Sequence, residues 1–317
     1  MLVREPSWLK LLFRVRGSSL RRIWSRLLMI ILFSVAVTYA YRMKWLTFTL
    51  TLVPFTLIGL PLGIFLGFRS NHGYSRYWEG RKLWGAIVND CRTLCRQALL
   101  FLDPPNPSVS SQETHKESLD SARTRSFLEI LIAYPYLLRS HLIGQIMPEE
   151  PSLPLAPSEQ ERFKESQNRP LFALFQLGKK LREISKEGTL HPYSVGLLEQ
   201  SLTALTNAQG GCERIRNTPF PLSYSILTHR TVVLYCYFLP FGLVTTLQGL
   251  TPVVCFLIAY VLLALDALAD AHENPFTTKP DALPMLAISR TIEINIRQES
   301  SDTDIPRPIQ SEHGILP

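Results

Sequence analysis

The sequence predicts an all-α membrane protein, with four transmembrane helices per subunit and a large helical water-soluble region. Three observations carry that prediction. Trp45 to Phe68 is a run of 24 residues without a charged side chain, and a helix needs about 20 apolar residues to cross a bilayer core. Polar and apolar stretches are segregated: 46% of residues are hydrophobic and 19% charged, yet the mean hydropathy of +0.09 averages over long runs of each kind. Basic residues crowd beside the apolar runs. Arg4, Lys10, Arg14, Arg16, Arg21, Arg22 and Arg26 precede the first of them with only Glu5 opposing, the distribution of cytoplasmic charges that face phospholipid. The net charge of +7 therefore implies a membrane lipid surface as partner. No module joining basic and aromatic residues accompanies it, so nucleic acid is not expected as a partner.

Taken in order, residues 1–26 form a basic cytoplasmic segment, and residues 27–68 hold two spans. The first, Leu27 to Tyr41, is short unless Arg26 and Arg42 extend their stems toward the headgroups. The second, Trp45 to Phe68, follows a tight turn with Arg42 and Lys44. Residues 69–229 read as a cytoplasmic helical region. Leu83, Ile87, Leu94 and Ala98 mark one apolar face between Arg81 and Leu102, and Phe127 to Leu142, Leu171 to Ile184 and Val195 to Ile215 give three more helical patterns. Asp103 to Ser121 and Pro148 to Ser158 read as polar connectors. Pro219 and Pro221 impose an extended approach to residues 230–270. That stretch holds a third span, Thr231 to Leu247, and a fourth, Pro252 to Leu268, joined by the uncharged Gln248-Gly249-Leu250-Thr251. Residues 271–317 complete the cytoplasmic part, with a disordered tail expected from Glu299.

Four spans return both termini to one side. Seven basic residues precede the first span and Arg69, Arg76, Arg81 and Lys82 follow the second, whereas the opposite turns carry two and none. The termini and the middle region are therefore expected in the cytoplasm and the spans in the cell inner (plasma) membrane. No small-residue cleavage pattern follows the first apolar run, so the basic start is not read as a cleavable signal.

The second span carries Pro54, Gly59, Pro61, Gly63 and Gly67, which suit a packed, cavity-lining helix better than a lipid-facing anchor. On it Leu60, Ile64 and Phe68 fall at i, i+4 and i+8, one stripe of a helix. If several copies face each other, that stripe is a hydrophobic pore neck; otherwise it packs against a neighbouring helix.

Elsewhere the bland readings dominate. Cys91 and Cys95 stand one turn apart without further ligands to complete a metal set, and Cys212, Cys236 and Cys255 read as free thiols. Asp266, Asp270, His272 and Glu273 end the fourth span. Ionisable groups at membrane depth are costly, so the alternatives are a metal or proton-relay site, or else helix capping, exposure to the cytoplasm, or pairing with Arg69, Arg76 or Arg81. Glu79 is expected to pair with Arg81. No nucleophile stands with an arranged base, Ser70 and His72 being merely near in sequence. No phosphate-cradling loop is present. The chain is expected to have no catalytic residues, no metal and no cofactor.

Ile64-Phe65-Leu66-Gly67-Phe68-Arg69, Ser75-Arg76-Tyr77-Trp78-Glu79-Gly80-Arg81, Gly210-Gly211-Cys212-Glu213-Arg214-Ile215 and Asn274-Pro275-Phe276 occur in this order, and as a set they resemble the bestrophin family, most of all its bacterial branch. The resemblance implies a homopentameric ion channel that passes small monovalent ions around one axis, its partners being those ions, lipid and further copies of itself. It places a three-residue neck on Leu60, Ile64 and Phe68. It also places a cytoplasmic constriction within Pro192 to Leu197, at Tyr193 or Val195. In the calcium-activated animal members an acidic cluster follows Asn-Pro-Phe; here the run is Thr277-Thr278-Lys279-Pro280-Asp281, with a single carboxylate for a cation that wants several oxygen ligands. Calcium gating is therefore not expected. The family includes anion channels, and bacterial relatives can favour monovalent cations, so the sign of the ion stays open. The competing readings are a membrane-anchored scaffold for a cytoplasmic partner and, third, a membrane enzyme using Asp266, Asp270, His272 and Glu273.

Overall fold

Helix is the regular structure of this chain wherever it is described. The computed structural model describes residues 20–102, 114–187 and 190–311, side chains of residues 21 and 114–121 excepted. In order it contains α1 (Leu20–Arg42), α2 (Val53–Phe101), α3 (Thr114–Ile143), α4 (Pro157–Glu165), α5 (Arg169–Lys186), α6 (Pro192–Asn217), α7 (Leu222–Leu247), a short 3-10 turn (Gln248–Leu250), α8 (Thr251–Glu273) and α9 (Met285–Glu299). The chain divides into two units, Met1–Trp78 with Thr218–Pro275, and Glu79–Asn217 with Phe276–Pro317.

The first unit is built from α1, the first part of α2, α7 and α8. Its core takes Ile23, Leu27 and Ile30 from α1, Leu62 and Leu66 from α2, Val232 and Cys236 from α7, and Ala259, Leu263 and Ala267 from α8. Each set recurs at three- and four-residue spacing, so each helix turns a single stripe inward. Small residues bring the helices close: a Cβ on Gly242 would overlap the Phe55 ring, and one on Gly59 would lie 2.9 Å from the Tyr235 hydroxyl. Among the described residues three stretches are long and apolar enough to cross a membrane, Arg22–Arg42, Val53–Phe101 and Leu222–Glu273. The last is a helical hairpin, α7 and α8, that turns at Gln248 with a left-handed φ of 46°.

The second unit packs α3 against α5, α6 and α9. Trp84, Ile87, Cys91 and Leu94 of α2, Phe127, Ile130 and Leu131 of α3, Leu177 of α5, Leu205 of α6 and Ile292 of α9 are buried. Two tyrosines bring polar tips into this unit with partners. Tyr134 donates to the Leu205 carbonyl at 3.2 Å, and Tyr136 to Glu293 at 2.6 Å.

Several boundaries differ from the sequence reading. Trp45 to Leu52 is not helical, and the helix expected from Trp45 starts at Val53. Pro54 suits a start here: in the first turn of a helix the amide hydrogen that proline lacks would have no intrahelical acceptor, and its fixed φ is already helical. The same helix does not stop at Phe68 but continues through the polar run to Phe101. The connector expected over Asp103 to Ser121 is helical from Thr114, while residues 103–113 lie outside the described residues. The tail expected to be disordered is tied at its start. Arg297 donates to the Asp302 carboxylate at 2.6 Å, and the Asp302 amide donates to the Arg297 carbonyl at 2.9 Å.

Candidate functional site

In the first unit α2 presents two contrasting faces. Leu62, Leu66, Arg69 and Gly73 point into the unit, at offsets of four, seven and eleven residues that keep them on one side of a helix. Leu60, Ile64 and Phe68 point away, 72%, 52% and 69% exposed. Gly63 and Gly67 lie beside them with open space where a side chain would be. The three side chains thus share one face of α2 that is largely exposed in the single chain.

Arg69 follows Phe68 by one residue, about 100° around the helix, and so turns inward. It is 5% exposed and its Nη1 donates to Asp266 Oδ1 at 2.5 Å. Its Nη2 bonds Asp270 and donates to Ser225 Oγ at 3.3 Å, with Glu273 Oε2 at 3.7 Å. His229 closes the cluster: Nδ1 lies 2.5 Å from Asp266 Oδ2 and Nε2 3.6 Å from Asp270 Oδ2. Arg76 adds a second tie, donating from Nε to the Glu273 carbonyl at 2.8 Å and from Nη1 to the Thr218 carbonyl at 2.5 Å. The chemistry is that of a hydrogen-bonded ion cluster with a buried Arg69–Asp266 pair at its centre and partly exposed Asp270, His229 and Glu273 around it, tying α2 to α7 and α8.

Of the alternatives for this cluster, the pairing with Arg69 is the one observed. His229, Asp266 and Asp270 do offer ligand atoms within 4.8 Å of one another. The Arg69 guanidinium already supplies the positive charge between the two carboxylates, so a metal ion would have to displace it. His272 instead faces Tyr77, ring centroids 5.6 Å apart. His229 and Ser225 were missed by the sequence reading. Folding the hairpin at Gln248 finds the histidine: it lies 18 residues before Leu247 and Asp266 lies 15 after Thr251, comparable depths on antiparallel helices.

In the second unit some of the other motif residues are in contact. A Cβ on Gly80 would lie 3.2 Å from the ring of Phe276, and one on Gly211 would lie 2.8 Å from Leu83. Glu79 pairs with Arg214, not with the expected Arg81; residues two apart on a helix face different ways. Glu213 accepts from Asn168 at 3.0 Å and from Gln209 at 2.8 Å, and lies 3.3 Å from His141 Nε2. Burial holds the His141 imidazole below its ordinary value against the pull of Glu213, and pushes the Cys212 thiol up to about 12. All five cysteines are free and buried. Tyr193 stands in the first turn of α6, 72% exposed, while Val195 is half-buried.

A family profile described as Bacterial/Fungal Bestrophin protein matches residues 1–298. The Voltage-dependent anion channel-forming protein RSc3414 of Ralstonia nicotianae is 39% identical over 300 residues, covering 94% of both chains. The Voltage-dependent anion channel-forming protein YneE of Escherichia coli K12 is 36% identical over 313 residues, covering 98% of this chain and 97% of its own. Among solved structures, a bacterial Bestrophin homolog from Klebsiella pneumoniae superposes with a TM-score of 0.76 at 32% identity, over 89% of this chain and 100% of that one.

Proposed function

This chain belongs to the bacterial and fungal bestrophin family, and on that footing we propose that it is a channel for small monovalent anions formed by a ring of five copies. The observation that carries the reading is the exposed stripe of Leu60, Ile64 and Phe68 on a helix whose opposite face is pinned by Arg69. Large apolar side chains left largely exposed in the single chain mark a surface meant for something else. In a ring the stripe faces its symmetry mates as an apolar neck, about 12 Å long from the rise of eight residues. Such a neck resists wetting and makes ions shed water. The positive edge of the Phe68 ring suits an anion, and the similarity to proteins named as anion channel-forming favours that sign. The exposed Tyr193 is the better of the two residues expected for a second constriction, since Val195 is half-buried.

In this reading α1, the first part of α2, α7 and α8 are the four spans, in the cell inner membrane, with both termini and the second unit cytoplasmic. Lys279 and the lone Asp281 after Asn274-Pro275-Phe276 leave too few oxygen ligands for calcium, so opening is calcium-independent. Purified protein in liposomes, given chloride and sodium gradients separately, tests this. Chloride flux without added calcium, from an assembly with the mass of five chains in mild detergent, is expected. Sealed vesicles together with a stoichiometric soluble partner would overturn it in favour of a membrane-anchored scaffold.

A further inference from the structure

A cavity of about 880 Å³ opens in the first unit between the C-terminal turn of α1, the chain that follows it and the turn joining α7 to α8. Arg42 and Lys44 line it, both exposed, and neither has an ion pair or a side-chain hydrogen bond among the described residues. Their position is fixed by a tight turn. Lys44 adopts a left-handed φ of 57°, its amide donates to the Tyr41 carbonyl at 3.0 Å, and the Trp45 amide donates to the Ala40 carbonyl at 2.9 Å. No aspartate or glutamate occurs from Leu27 to Phe68 or from Thr231 to Leu265. The two cations therefore have no counter-ion in the helices that surround them.

The depth of the cavity identifies what supplies the missing anion. Pro252, on its wall, and Asp270, in the Arg69 cluster, are 18 residues apart on α8, a rise of about 27 Å. That nearly matches the roughly 30 Å of a bilayer's hydrocarbon core. The charged cluster and the cavity thus bracket one apolar layer, and the cavity sits at headgroup level. Tyr39 on its rim and the neighbouring Trp45, which meet edge to face with centroids 6.2 Å apart, are the aromatic residues favoured at that level. Val35, Leu46 and Pro252 give the cavity an apolar side, and Thr38, Thr47 and Gln248 a hydroxyl and amide side.

We propose that this cavity binds the headgroup of an anionic phospholipid, its phosphodiester between Arg42 and Lys44 and its hydroxyls against Thr38, Thr47 and Gln248. A zwitterionic headgroup fits less well, because the lining holds no carboxylate for its ammonium. A free phosphate would leave the apolar side unused. The proposal rests on the membrane setting of the first unit and not on ion conduction.

The test titrates the purified full chain in mild detergent with short-chain phosphatidylglycerol, with phosphatidylcholine of the same chain length, and with free glycerol phosphate, counting bound molecules by native mass spectrometry. Phosphatidylglycerol should bind most tightly, and free glycerol phosphate at equal concentration should not displace it. Arg42→Gln with Lys44→Gln should weaken the tightest lipid by about 30-fold, since each basic residue near the surface contributes comparably. Arg42→Lys should retain most of the binding, and an unchanged unfolding midpoint without lipid separates lost affinity from lost fold. Equal lipid retention by parent and double variant, or displacement by free glycerol phosphate, would overturn the proposal.

Discussion

Replacing Arg69 by methionine removes the positive member of a pair whose side chains are 5% and 3% exposed. Water cannot screen an Asp266 carboxylate at that depth. Removing one partner of a buried ion pair costs about 3–5 kcal/mol because the other charge stays buried. His229 Nδ1 remains 2.5 Å from Asp266 Oδ2, which places the expected loss near the lower end, about 3 kcal/mol. Asp270, the other carboxylate on the guanidinium, is 45% exposed and can turn to water. The double variant Arg69→Met with Asp266→Leu removes both buried charges, and replacing a whole buried pair by apolar groups is often neutral or stabilising. Thermal unfolding of the purified chain in mild detergent reads the cycle of parent, two single variants and double variant. The singles should melt well below the parent and the double should recover most of the difference. Single losses below about 1 kcal/mol, the range of exposed pairs, or a double loss equal to the sum of the singles, would refute the reading that this pair holds α2 in place.

Two further outcomes are expected. Ile64→Ala should raise chloride flux in liposomes and Ile64→Phe should lower it, whereas Ile58→Ala, six residues and therefore about 120° off the stripe, should change it little; equal effects at both positions would reassign the lumen face. In the second unit the His141 imidazole titrates below its ordinary 6.5 because burial disfavours its charge. The unfolded chain then binds the proton first, so this residue's contribution is complete above about 6.5 and declines as pH falls below it. His141→Gln should flatten the acid side of the stability profile, and an unchanged slope would contradict the assignment.

What the sequence revealed follows from how far each signal reaches along the chain. The absence of charge over Trp45 to Phe68 locates apolar chain but does not distinguish extended from helical backbone, and the helix start at Val53 was legible only through Pro54. The polar run after Phe68 looked like a boundary, yet charged residues do not end a helix and α2 continues. Charge partners were legible as types and not as pairs. Three arginines were candidates for the carboxylates of α8, and Arg69 is the one that bonds Asp266 because it lies seven residues after Leu62, on the buried face. His229 comes 37 residues before its partner Asp266, a separation that no local periodicity reports.

The two faces of α2 are mechanically one feature. A helix packed only by aliphatic side chains can rotate by some tens of degrees and still bury a similar area, because apolar contacts are non-directional. The Arg69 guanidinium is planar with fixed donor directions, and it is held by Asp266 and Asp270 at once. Gly73, one turn further along, leaves no slack, since a Cβ there would lie 3.1 Å from the Ala269 carbonyl oxygen. With these two points fixed, Phe68 and Ile64 point where the packing of the protomer sends them, before any second copy arrives. In the proposed ring, the bore of the neck would then depend on side chains that never touch the lumen. Changes at Arg69, Asp266 or Gly73 would alter conduction through the angle of α2, while changes at Leu60, Ile64 and Phe68 would act through side-chain size alone.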